Sequence, residues 1–193
     1  LIVLGVAHDE NAVTNYRNLL KRPGNPVDDF LLLDGIGAVA INTGVNIILA
    51  TIVVLAIGGD INGPTIGGIL TIAGFSVKGK HARNILPVML GIILSGLMRG
   101  GGAVVTPAAQ LALLFGTTLA PISGTYGFPA GIVAGFIHSC VVLYAGAGYS
   151  GVNLYNNGFA GGLVAIVMHS VLSEFFRPKE YSKPSDSMLP KPL

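Results

Sequence analysis

Six apolar runs, separated by short clusters of Gly, Pro, Asn and basic residues, set the pattern of this chain. They cover residues 30–57, 64–77, 85–98, 103–123, 127–147 and 159–176. Membrane strands run to about 9–11 residues and alternate in polarity. These runs are longer and continuously apolar, so they read as helices. A helix needs about 20 residues to cross a bilayer. Residues 30–57 suffice, whereas 64–77, 85–98 and 159–176 are short and suit half-helices or re-entrant pieces. The pattern therefore predicts an all-α, polytopic transmembrane helical bundle of about six segments, some of them short or interrupted. Residues 1–29 form a polar cytoplasmic loop with one short helix across 12–20, residues 30–176 the transmembrane domain, and 177–193 a cytoplasmic tail. The apolar opening, residues 1–7, is too short to span and reads as the cut end of an earlier helix. That would make the chain the C-terminal half of a longer protein, with the missing N-terminal half as a partner.

Composition sharpens this. Hydrophobic residues make up 51% and charged residues 10%, against roughly 25% charged in soluble domains. Mean hydropathy is +0.70. The 28 glycines lie inside Leu/Ile/Val-rich runs, where they let transmembrane helices approach closely. Lone Cys140 excludes an internal disulfide. No basic patch is interleaved with aromatics, so nucleic acid is not an expected partner. No metal-ligand spacing occurs, and no cofactor or metal is expected. The lipid bilayer is the expected surrounding, with a homo-oligomer left open.

The net charge of +2 matters through its placement. With residues 1–29 cytoplasmic and every segment crossing, Arg17, Lys21, Arg22, Lys78, Lys80, Arg83, Arg177, Lys179, Lys183 and Lys191 all fall inside. Only Arg99 falls outside. Cytoplasmic loops carry such an excess, so both ends are placed inside. Gly74 to His81 nearly spells a phosphate-binding loop but lacks the final Ser or Thr. Lys78 and Lys80 are read instead as cytoplasmic anchors.

Two fragments look alike. Asn62-Gly63-Pro64-Thr65-Ile66-Gly67-Gly68 opens one short run, and Asn157-Gly158-Phe159-Ala160-Gly161-Gly162 opens another. Unpaired backbone is tolerated at membrane depth only where protein or a water-filled cavity covers it. Broken helices are where transporters hold their solutes. The candidate solute site is therefore Asn62, Gly63, Thr65, Asn156, Asn157 and Gly158, with the two asparagines converging near mid-membrane. Asn42 and Asn46 lie four apart on one helix face; they could act as interhelical glue or line a pathway. Asp34, His138 and His169 stand in apolar runs and are candidates for ion or proton coupling. Gly131 and Gly135 give a small-residue face for helix crossing.

Residues 79–84, 123–131 and 154–162 together resemble an uncharacterised bacterial multi-pass membrane family, known as a domain of unknown function. The resemblance runs from about Phe30 onward and implies a bacterial inner (cytoplasmic) membrane location with the C-terminus cytoplasmic. More loosely, the interrupted helices look like urea-channel-type proteins, although Asn156-Asn157 is followed here by Gly158 where their signature has Pro. The expected function is a membrane transporter or channel for a small polar or anionic solute, and not an enzyme. One alternative is a urea-channel-like facilitator. The other is a membrane-embedded enzyme acting on a lipid or lipid-linked substrate, with His138, His169 and Asp34 as its candidate groups.

Overall fold

The computed structural model describes residues 1–25, 28–148 and 153–177. The expected tail, with Lys179, Lys183 and Lys191, lies outside the described residues apart from Arg177. Among the described residues the structure is helical, without strands. Its helices are α1 (Ile2–His8), α2 (Ala12–Leu19), α3 (Phe30–Ala56), α4 (Gly63–Phe75), α5 (Ala82–Met98), α6 (Pro107–Phe115), α7 (Ala120–Tyr126), α8 (Phe128–Gly148) and α9 (Asn153–Phe175). Three stretches are long and apolar enough to cross a membrane: Phe30–Ala56, Phe128–Ala145 and Asn156–Phe175. Gly63–Phe75 and Ala82–Met98 are shorter apolar helices.

Local chemistry sets the boundaries. Asp29 caps α3 by accepting from the Leu31 and Leu32 amides. Gly35, at φ 83°, breaks the same helix one turn later, a left-handed conformation that glycine adopts without a Cβ penalty. The first turn of α3 thereby folds away from its long remainder. Asn62 and Thr65 form a reciprocal capping box at the start of α4, with Pro64 in the first turn. His81 and Asn84 do the same for α5.

α5 and α8 run side by side in the same direction. A side chain at Gly91 would meet the Ile132 and Phe136 backbone, and one at Gly135 the Val88 backbone. Ser95 meets Cys140, and Arg99 donates to Ser139. This is the close approach expected of the Gly131/Gly135 face. Residues 104–126 return antiparallel to α5: Val104 lies on Gly96, Gly116 on Ile92, and Ser123 near Pro87 against Gly131. The run predicted as one span, 103–123, is not continuous. A 3₁₀ turn, Gly116–Leu119, separates α6 from α7. α9 travels with this broken pair, from Gly161 at Thr118 to His169 at Tyr126.

The bundle therefore has two ends. One gathers residues 22–24, 79–84 and 123–128; the other gathers Gly58, Arg99 and Val105. Its core joins Ala50 and Val54 of α3, Ile69 and Ile72 of α4, Val88 and Ile92 of α5, and Leu113 and Leu114 of α6. Ile48, Ile52 and Leu55 of α3 and Leu163, Ile166 and Val167 of α9 point outward. Exposed apolar faces of this kind mark surfaces for a membrane or a partner.

Candidate functional site

The polar groups buried in this apolar interior converge on the connection between α4 and α5. Asn42 Nδ2 donates to the backbone oxygens of Ser76 and Lys80, each at 2.8 Å. One turn along α3, Asn46 Nδ2 donates to Ser76 Oγ at 2.7 Å and to the Lys80 oxygen at 3.2 Å. Ser76 Oγ in turn donates to the Ile72 carbonyl. The asparagine pair thus anchors the loop that carries Lys80, as their four-residue spacing on one face allows. The side-chain oxygens of Asn42 and Asn46 are buried without a hydrogen-bond partner among the described residues.

Lys80 is only 6% exposed, so it is not the surface anchor expected from the sequence. Its ammonium donates to Thr117 Oγ1 at 2.9 Å and lies 5.0 Å from the centre of the Phe75 ring, a cation–π contact. Among the described residues no carboxylate lies within ion-pair distance. Lys78, two residues earlier, is exposed and pairs with Asp29 at 3.3 Å. Burial lowers Lys80, in the α4–α5 connection, to about 8. Burial likewise pulls His81 down to about 4. Neutral His81 accepts the Asn84 amide on Nδ1, so Nε2–H donates to the Arg22 carbonyl.

Thr117 stands in the break between α6 and α7, where its hydroxyl also donates to the Leu114 carbonyl. Beside it, a side chain at Gly116 would collide with the His138 ring. His138 is fully buried, with Nε2 3.3 Å from Asn157 Oδ1. Among the described residues its Nδ1 has no partner, nor does the Asn156 side-chain oxygen. A polar track therefore leads from Asn42 and Asn46 through Lys80 to Thr117, beside Gly116, against which His138 packs with its partner Asn157.

The other predicted residues lie elsewhere. Asn62 is exposed, and its side-chain oxygen accepts the Thr65 amide. Thr65 Oγ1 caps back onto Asn62, and Gly63 faces open space. The similar fragment at Asn157-Gly158 lies inside α9 rather than ahead of it, because α9 already begins at Asn153. Asn157 is buried and Gly158 faces open space. The two fragments thus occupy different settings. Asp34 is held by Arg22, with Nε to Oδ2 at 2.7 Å and Nη2 to Oδ1 at 2.9 Å. Exposed His169 meets Tyr126 Oη at 2.8 Å. Ser76 and Thr117 were not singled out from sequence, and Lys80 only as a surface anchor. The one signal pointing to them was the asparagine pair, which in an apolar helix must find a partner.

The family described as "Protein of unknown function (DUF1576)" matches residues 8–174. No curated protein and no solved structure matches the chain.

Proposed function

We propose, for a chain that belongs to the DUF1576 family of proteins of unknown function, a membrane transporter or channel that passes a small anionic solute by way of Lys80. The location that fits is the cytoplasmic membrane of a bacterium, with the end bearing Lys21, Arg22 and Arg83 inward. One observation carries the reading: a buried ammonium with no carboxylate beside it among the described residues, set against the break between α6 and α7. Removing an ammonium from water costs several kcal/mol unless a counter-charge balances it. A charge buried without a counter-charge, with its pKa shifted by burial, marks a candidate functional site. Lysine has three N–H donors, and Thr117 takes one, leaving donors for an anion. The interrupted backbone at Gly116–Leu119 supplies the polar lining that solute sites build from broken helices.

The test is flux of small anions such as chloride, nitrate, formate and phosphate into proteoliposomes. Lys80→Met keeps most of the volume and removes the charge. It should cut flux at least tenfold while the melting temperature holds or rises, because an unbalanced buried charge is gone. Asn62→Ala should lose about 1 kcal/mol of stability as a helix cap and transport normally. Parent-level flux in Lys80→Met would overturn the proposal.

A further inference from the structure

A cavity of about 370 Å³ lies at the basic end of the bundle, apart from the Lys80 track. Its walls come from the α2–α3 connection, the start of α5 and the α7–α8 turn, and include Lys21, His81, Arg83, Asn84, Ser123 and Phe128. Its volume lies in the range of about 300–1,000 Å³ usual for small-molecule sites.

The lining is cationic. Lys21 and Arg83 are exposed and so sit at the rim. Lys21 Nζ donates to the neutral amide of Asn18 at 3.2 Å, and neither side chain forms an ion pair among the described residues. Among the described residues no Asp or Glu lines the cavity. The nearby charge of Asp34 is engaged by Arg22. Two long helices, α5 and α8, begin here, and the first turn of a helix presents N–H groups and the positive end of its dipole. Independently of these, Ser123 is 4% exposed and lines the same cavity. Its hydroxyl has no hydrogen-bond partner among the described residues. That hydroxyl is thus a donor left open to a ligand.

We propose that this cavity binds a phosphate group, presented either by an anionic lipid headgroup or by a free phosphate compound. The Arg83 guanidinium offers a planar fork suited to phosphate oxygens. Lys21 adds a point charge from the other side of the mouth. The helix starts and the Ser123 hydroxyl provide N–H and O–H donors at the wall, in the manner of anion sites at helix N-termini. The site stands on side chains other than those of the Lys80 track, so either proposal holds or fails without the other.

The test uses the full chain, delipidated in neutral detergent. Inorganic phosphate is titrated in one arm and phosphatidylglycerol in mixed micelles in the other, with binding followed by calorimetry and thermal shift. Saturable binding in at least one arm is expected, with acetate at equal ionic strength giving none. Binding of inorganic phosphate points to a soluble ligand; binding of the lipid alone points to a headgroup. The double variant Lys21→Gln, Arg83→Gln changes only exposed side chains and should weaken binding at least tenfold. Ser123→Ala should weaken it severalfold, and Lys78→Gln, on the same end but outside the cavity, should leave it unchanged. The proposal is overturned if neither ligand binds, if acetate binds as well, if the double variant binds like the parent, or if Lys78→Gln weakens binding equally.

Discussion

Lys80 and Lys78 are two residues apart and have opposite fates. Lys78 reaches water and Asp29, whereas Lys80 turns inward to Thr117. The inward ammonium titrates near 8 because burial penalises its charged form. Below about pH 8 it is positive and able to hold an anion; above it the charge is lost. Solute affinity should therefore be steady near neutral pH and fall as pH rises through about 8, while Lys80→Met shows weak binding with no such step. Stability runs the other way. The folded pKa is depressed, so the unfolded chain binds more protons between about 8 and the ordinary 10.5, and this lysine's contribution to stability rises across that window. Asp34 is a contrasting charge. Its carboxylate is almost fully buried against Arg22, which makes it a structural partner of the α2–α3 connection. Asp34→Asn removes the balancing charge and should cost about 3 kcal/mol. Anion affinity should be unchanged in chemical unfolding and binding assays run together. Altered affinity at full stability would restore the coupling role expected from sequence.

At the scale of elements, the α5–α8 contact is the tightest helix crossing that the glycines create. Gly91 and Gly135 face backbone atoms of the opposite helix, which cannot rotate aside as a side chain can. Gly135→Leu should force the pair apart and lower stability by about 3 kcal/mol, the upper end for overpacking. Gly67→Leu on α4 faces open space and should leave the thermal transition nearly unchanged. Equal melting temperatures for the two variants would remove the close-approach explanation. The same crossing matters for the site. It fixes α8 so that His138 covers Gly116 beside the helix break, and it sets Arg99 on Ser95 and Ser139 at the far end.

Across the whole molecule, basic side chains are unevenly divided between the two ends, the asymmetry from which the positive-inside rule predicts orientation. Lys21, Arg22, Lys78 and Arg83 stand at one end, and Arg99 at the other. Single cysteines replacing Lys21 or Arg83, in a Cys140→Ala background, should react with an impermeant maleimide only from the cytoplasmic side. One replacing Gly101 should react only from outside. Labelling of Arg83 and Gly101 positions from the same side would exclude the crossing of α5 between them.

The sequence by itself determined the helical class, the presence of helices apolar enough to cross a membrane and much of the packing. These depend on local quantities: run length, the helical period that aligns Asn42 with Asn46, and small residues such as Gly131 and Gly135 spaced one turn apart. The all-helical fold and the membership of an uncharacterised family were both legible at that level. The candidate site was legible only in part. Asn42, Asn46, His138, Asn156 and Asn157 carried the signal of polar groups in apolar runs. Lys80 did not, because a lysine in a basic loop looks the same whether its ammonium reaches water or a buried hydroxyl. Asn62 and Asn157 opened similar fragments, but one lies at the true start of a helix and caps it, and the other lies inside a helix that begins a turn earlier. Thr117 became important only because Gly116–Leu119 breaks a run that composition left continuous. In each case burial and partner are set by residues distant in sequence, and only the tertiary structure brings them together.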